Sequence, residues 1–116
     1  MQIENFTFGQ ISIDGVTYEH DVVIDRGEIR ERKKKPSKEF KADFGHTPLS
    51  VREKIPWECE HLIIGTGAQG NLPIMKKVKK EAERRNVKLD ALLTEEAIKV
   101  LNQNPENTNA ILHVTC

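Results

Sequence analysis

His61-Leu62-Ile63-Ile64-Gly65-Thr66-Gly67-Ala68-Gln69-Gly70 joins a short apolar run to a loop punctuated by glycines, and a Lys-rich helical pattern follows it. A buried strand handing over to a crossover helix has this pattern. From about Pro73 to Arg85, Met75, Val78 and Ala82 form a narrow apolar stripe, with Lys76, Lys77, Lys79 and Lys80 outside it. A second strand, Val87 to Leu92, a second helix, Glu95 to Asn104, and a third strand, Ala110 to Thr115, complete the alternation. The second helix repeats the stripe with Ala97, Val100 and Leu101. The order βαβαβ predicts parallel strands joined by right-handed crossovers. Asn86 suits the left-handed residue that ends the first helix, and Thr94 suits the N-cap of the second. Glu95 and Glu96 then complement the helix dipole.

Upstream, Ile11-Ser12-Ile13 and Val16-Thr17-Tyr18 flank Asp14-Gly15, a dipeptide that readily adopts the two positive φ angles of a type I′ hairpin turn. Phe6 and Phe8 alternate with polar neighbours before it. Val22-Val23-Ile24 extends after it and closes at Arg26-Gly27, so the N-terminal part reads as a β meander. Ile29 to Lys41 holds seven Lys and Arg around Pro36 and offers only Ile29 and Phe40 for burial, which predicts a solvated strand pair or an exposed arm. Thr47-Pro48 predicts the start of a short helix that runs through Ile55 and stops at Pro56.

A chain of 116 residues makes one domain, 1–116, able to build a core without disulfide or metal staples. Lys+Arg and Asp+Glu balance at 18 each, so global charge draws it toward neither nucleic acid nor acidic membrane. The basic stretch lacks the interleaved aromatics of a nucleic-acid reader, since Phe40 is its only ring. No apolar run approaches the ~20 residues of a membrane span, and Met1 to Asn5 lacks signal-peptide features, so a soluble cytoplasmic protein is expected. Cys59 and Cys116 are read as reduced thiols.

Gly65, Gly67 and Gly70 keep the G-x-G-x-x-G spacing of phosphate-cradling loops, and Asp90 falls about twenty residues further on, as a dinucleotide fingerprint asks. Three features oppose a dinucleotide. The strand comes late in the chain, Asn71-Leu72-Pro73 separates the loop from its helix, and Glu95-Glu96 crowd the neighbouring helix start. No cofactor is expected. Two readings of the loop stay open: a tight turn that lets helix and sheet approach, or a small-anion site built from Gly65, Thr66, Gly67, Gln69, Gly70 and Thr94 at the carboxyl ends of adjacent parallel strands.

Other chemistry is thin. Cys59 and His61 share a strand face but supply two metal ligands where four are needed, and His113 and Cys116 fall on opposite faces. None of Ser12, Ser37 and Ser50 lies in a nucleophile elbow. Glu58 and Glu60 disfavour a Cys59 thiolate. His113 reads as a satisfied sheet histidine, and His20 and His46 show no partner. No catalytic residue is assigned, and the chain reads as leaning away from an enzyme.

Leu62-Ile63-Ile64-Gly65-Thr66-Gly67, Leu93-Thr94-Glu95-Glu96-Ala97-Ile98 and Leu112-His113-Val114-Thr115-Cys116, with Gly15-Val16-Thr17-Tyr18 and Asp21-Val22, together resemble the Mth-type domain of unknown function across nearly the whole chain. The family includes an adipogenesis-associated vertebrate protein and a mitochondrial respiratory complex I assembly factor. The resemblance implies a three-layer α/β domain with a mixed central sheet, the C-terminal βαβαβ and the N-terminal meander. It implies no reaction and no shared catalytic residue to carry onto this chain. Asn86 stands where relatives often have glycine, and the basic stretch is more charged than the family pattern. The expectation is a domain acting by protein–protein contact in an assembly or scaffold role. The alternative is a binder of, or enzyme on, a small anion or metabolite.

Overall fold

The βαβαβ half folds as a parallel unit at the centre of three layers. In the computed structural model, which describes residues 1–116, the strands are β1 (Ile3–Thr7), β2 (Gln10–Ile13), β3 (Val16–Tyr18), β4 (Val22–Asp25), β5 (Glu28–Glu31), β6 (His61–Gly65), β7 (Lys88–Leu92) and β8 (Thr108–Leu112). The helices are α1 (Lys41–Phe44), α2 (Lys76–Arg84) and α3 (Thr94–Gln103), and a 3-10 helix, Lys35–Phe40, runs directly into α1.

β6 pairs in parallel with both β7 and β8. β4 adds antiparallel to β8, and β5 antiparallel to β4, giving a mixed sheet of order β5-β4-β8-β6-β7. β1, β2 and β3 form a separate antiparallel sheet. The Asp14-Gly15 turn is as the sequence predicts, with φ 49° and 83°, and Arg26 and Gly27, which close β4, turn the chain in the same way with φ 50° and 83°.

Strand alternation sends side chains to both faces of the five-stranded sheet. Leu62, Ile64, Val23 and Ile111 pack with Val78 and Ala82 of α2, Leu49 and Leu72. Ile63, Val22, Ile24, Ala110 and Leu112 pack with Ala97, Ile98 and Leu101 of α3 and with Ile3, Ile11 and Ile13 of the small sheet. Burial on both faces explains why these strands read as continuous apolar runs. Asn102 fixes α3 to β1 by donating to the Ile3 carbonyl at 2.8 Å and accepting from the Ile3 amide at 3.0 Å. Its side-chain amide thus completes backbone bonds at that strand.

Several boundaries differ from the sequence reading. No helix follows Thr47: Leu49 bridges Ile74 in parallel, and a turn occupies the next residues. Packing Leu49 into the α2-side core stabilises extended backbone more than one helical turn would. The same bridge holds Ile74 outside α2, which therefore begins at Lys76. The Ile29–Lys41 stretch is not an exposed arm. Arg32 and Ser37 within it are fully buried, because carboxylate and hydroxyl partners meet them there. Thr94 does not cap α3: Leu93 holds the N-cap position without a side-chain bond, and the Thr94 hydroxyl is used elsewhere. Asn86 does take the left-handed conformation after α2, with φ 57°.

Candidate functional site

The registers Glu31↔Val22, Val22↔Leu112, Leu112↔Gly65 and Gly65↔Leu92 form one row across the end of the central sheet. One residue further out, the same row reads Arg32, Asp21, His113, Thr66, Leu93. Four of the five strands end here at their carboxyl termini, and β4 begins here. In open α/β sheets this edge is the ligand-binding edge.

Arg32, Asp21 and His113 are brought into contact there. Asp21 Oδ2 accepts from Arg32 Nη1 at 2.9 Å and pairs with His113 Nδ1 at 2.8 Å, while Asp21 Oδ1 accepts the Val114 amide at 2.9 Å. Arg32 also grips Glu53 with Nε at 2.8 Å and Nη2 at 2.9 Å, and Nη2 donates to the Pro48 carbonyl at 3.2 Å. Ser37 bonds both Glu53 and Ser50 at 2.6 Å. The Arg32 and Glu53 side chains are 1% and 4% exposed, so this ion cluster is desolvated. Burial raises the Asp21 pKa, but the His113 bond and charge, the Val114 amide and Arg32 outweigh it and hold the carboxyl down at about 2. Asp21 is thus a fixed carboxylate at neutral pH. It serves as acceptor to His113 Nδ1, and Nε2 bonds the Thr115 hydroxyl at 3.2 Å.

A cavity of about 160 Å³ opens beside this cluster. Its wall includes Arg32, Lys34, Lys41, His46 and His113, together with Thr47, Thr115, Leu72 and Cys116, and contains no Asp or Glu side chain. Lys34 follows β5, Lys41 comes from α1 and His46 from the loop after it, while His113 and Thr115 come from the segment after β8.

The glycine loop lies behind that segment. Thr66 donates its amide and its hydroxyl to the Leu92 carbonyl, and Gly67 donates its amide to Thr94 Oγ1 at 2.8 Å. Thr94 Oγ1 in turn donates to the His113 carbonyl at 2.6 Å. Ala68 and Asn71 give their amides to the Thr115 and Cys116 carbonyls, both at 2.8 Å, and Leu72 gives its amide to Thr66. The structure therefore brings Gly65, Thr66, Gly67 and Thr94 together and uses their polar groups on one another, on the Leu92 carbonyl and on residues 113–116. Gln69 and Gly70 are exposed on the outer turn. The glycines serve close approach. A Cβ on Gly65 would stand 2.8 Å from Thr94 Oγ1, and one on Gly67, whose φ is 110°, would stand 2.5 Å from the Cys116 carbonyl carbon.

The remaining candidates are placed apart. His61 Nε2 pairs with Asp90 at 2.7 Å, and the Cys59 thiol donates to the Pro56 carbonyl at 3.5 Å. Burial pushes the Cys59 thiol up, away from thiolate chemistry. His20 Nδ1 bonds the Asp21 carbonyl at 2.9 Å. The sequence reading missed Asp21, Arg32, Lys34, Lys41 and Glu53 as a site. One local signal was available: Asp21 and His113 each adjoin the end of an apolar run, where strand side chains meet the sheet edge.

The three-layer architecture, with a mixed sheet and polar residues gathered at the carboxyl ends of its strands, defines a small α/β domain of the Mth938-like kind. The chain belongs to the family described as a protein of unknown function, DUF498/DUF598, which matches residues 3–113. It is similar to the solved structure of the conserved hypothetical protein PH1505 from Pyrococcus horikoshii OT3, with 32% identity over 100% of both chains and a TM-score of 0.82. It also resembles the structure named MT938, with 25% identity over 99% of this chain and 98% of that one and a TM-score of 0.71. A Bordetella pertussis Mth938-like domain shares the fold at 15% identity, covering 97% of this chain and 85% of that one, with a TM-score of 0.63. No curated protein matches the chain. No helix is long and apolar enough to cross a membrane.

Proposed function

We propose that this domain binds a small anion or anionic metabolite in the cavity at the carboxyl edge of the central sheet. The observation that carries the reading is the wall itself, in which Lys34, Lys41, His46 and His113 converge from four segments beside the carboxylate-paired Arg32, with no carboxylate side chain lining the cavity. Arg32 is held by Asp21 and Glu53 and gives the site a rigid floor, whereas Lys34 and Lys41 are exposed and form no ion pair. An anion is the partner that such a wall lacks. Gly65, Thr66, Gly67, Gln69, Gly70 and Thr94 enter this reading as the loop system that positions residues 113–116, which form one side of the cavity.

Calorimetry and thermal shift with phosphate, sulfate and small carboxylates at low ionic strength test it. At least one anion should raise the melting temperature with the dose dependence of single-site linkage. The double variant Lys34→Glu, Lys41→Glu should keep the fold and weaken that binding by about tenfold or more. No stabilisation by any of these anions at millimolar concentration would sink the reading.

A second reading, contact with an acidic protein partner, is favoured by the clustering of positive charge along the chain. Most Lys and Arg lie in two stretches, residues 33–54 and 76–88, although the chain as a whole is neutral. A pull-down at physiological salt that retains nothing specific, from an extract of the source cell, would count against it.

A further inference from the structure

The cavity's wall discriminates among anions by charge and by shape. Resting on the anion-binding reading above, we infer that the ligand carries a tetrahedral phosphoryl dianion, and that His113 seats it as an imidazolium, so that binding takes up a proton.

Charge comes first. The buried cluster holds one cation, Arg32, against two carboxylates, Asp21 and Glu53. Arg32 is therefore neutralised twice over before any ligand arrives. Four of its five N–H groups are already given to protein acceptors, and the one remaining hydrogen is on Nη1, the nitrogen that faces Asp21. The charge that meets a dianion must come from Lys34, Lys41 and the two histidines. His113 is the one whose second nitrogen is fixed by an ionised carboxylate, at 2.8 Å from Asp21. Its gain of a proton would bring the buried cluster of Arg32, Asp21, Glu53 and His113 to zero net charge.

The hydrogen-bond geometry permits that gain without rearrangement. Nε2 has the Thr115 hydroxyl as its partner at 3.2 Å. A hydroxyl donates to a neutral ring and turns to accept from a protonated one or to bond a ligand, so only a rotor moves. The charged and titratable groups around His113 are Asp21 from the start of β4, Arg32 and Lys34 after β5, Lys41 of α1, His46 of the next loop, Glu53 behind Arg32 and Cys116 of its own segment. Apart from Asp21 and Glu53, both already paired with Arg32, every charged side chain in that set is cationic.

Shape separates phosphoryl from carboxylate. Lys34, Lys41, His46 and His113 with Thr115 reach the cavity from four different segments. A planar carboxylate presents its lone pairs in one plane, whereas a tetrahedral anion offers oxygens in several directions and can engage a donor set that surrounds it. Free phosphate and a small phosphomonoester share this chemistry.

Isothermal calorimetry on the full chain tests the inference, with sulfate as a tetrahedral dianion of fixed charge, acetate as a planar anion, and inorganic phosphate against glycerol phosphate. Sulfate affinity should fall by about tenfold per pH unit once the imidazole has lost its proton. Titrations in buffers of different ionisation enthalpy should show proton uptake on sulfate binding. Acetate should bind at least about tenfold more weakly than sulfate. Tighter glycerol phosphate would assign the ligand to the monoesters, and tighter inorganic phosphate to the free ion. His113→Gln should remove the proton uptake. Should that variant fail to fold, the His113 ring signals of the wild type in NMR should titrate at higher pH with sulfate present. Tetrahedral anions that bind without proton uptake and without moving the His113 titration, or acetate binding as tightly as sulfate, would overturn this inference and leave the anion cavity standing. No binding of any anion would remove both.

Discussion

Arg32→Met probes the buried cluster most directly. The substitution keeps much of the side chain's apolar length and deletes a guanidinium that is 1% exposed and donates four hydrogen bonds, two of them to Glu53 at 2.8 and 2.9 Å and one to Asp21 at 2.9 Å. Asp21 keeps His113 and Val114, but Glu53 keeps only Ser37. Two carboxylates are then buried without a balancing cation. Breaking a buried ion pair in this way costs about 3–5 kcal/mol. With a urea m-value of about 1–3 kcal/mol/M, the midpoint should fall by at least about 1 M. The pH dependence carries the sign. In the wild type the depressed Asp21 pKa contributes stability that is fully present above the ordinary carboxylate range and is lost as pH falls through about 2. In the variant the unpaired carboxylates protonate more readily, and neutral carboxyl groups tolerate burial. The gap between variant and wild type should therefore narrow between pH 7 and pH 4. Urea titrations at both values, followed by far-UV circular dichroism, give the answer. A loss under about 1 kcal/mol at pH 7, or a larger loss unchanged at pH 4, would refute the view that these charges are desolvated and mutually compensated.

Other outcomes follow from the same contacts. Gly67→Ala should lower stability by about 1–3 kcal/mol in thermal denaturation, because its Cβ would stand within 2.5 Å of the Cys116 backbone at φ 110°; full wild-type stability would show that residues 115–116 do not pack there. Asn109→Leu should cost about 2–4 kcal/mol, since the buried amide donates to the Pro56 carbonyl at 3.0 Å and accepts the Arg26 amide at 2.8 Å, all left unpaired by leucine. Its effect should be visible as faster amide exchange at Arg26, and unchanged exchange there would contradict the assignment. Asp21→Asn removes the charge from the carboxylate shared by Arg32 and His113. Wild-type stability, measured by urea titration from pH 5 down to pH 2, should fall with pH, and the variant should lack the part of that fall due to Asp21, about 2 kcal/mol for a pKa held near 2.

Most of the fold was legible from local pattern. The apolar runs Leu62-Ile63-Ile64 and Ala110-Ile111-Leu112, the stripes on α2 and α3, and the Asp14-Gly15 turn each specify an element from nearest neighbours and periodicity, without any partner being known. The departures have a common cause. Leu49, Ile74 and Thr94 adopt conformations set by what they touch, a bridge in one case and the His113 carbonyl in the other, so propensity at those positions was overridden by tertiary contact.

The candidate site was less legible. Arg32 reads as one more charge in a basic stretch, since nothing within several residues of it announces burial; its acceptors are Asp21, eleven positions before it, and Glu53, twenty-one after it. His113 meets Asp21 across ninety-two positions because β4 joins the sheet beside β8 with Val22 opposite Leu112. A glycine spacing can be seen in one dimension, and so the loop from Gly65 to Gly70 drew attention as a cradle. Its Gly67 and Ala68 amides are given to Thr94 Oγ1 and the Thr115 carbonyl and its Thr66 amide to Leu92, which places it behind the cavity wall.

The amino-acid order alone therefore determined the strands and helices of the C-terminal βαβαβ half, the Asp14-Gly15 hairpin, that the C-terminal strands run parallel, and that the chain forms one α/β domain, because these depend on periodicity and turn chemistry within short windows. Only the tertiary structure decided that β4 and β5 extend the central sheet, and that Arg32, Asp21 and His113 meet at its edge beside a basic cavity. Strand register brings together residues distant in the chain, and a charge is driven inside only where its counter-charges converge.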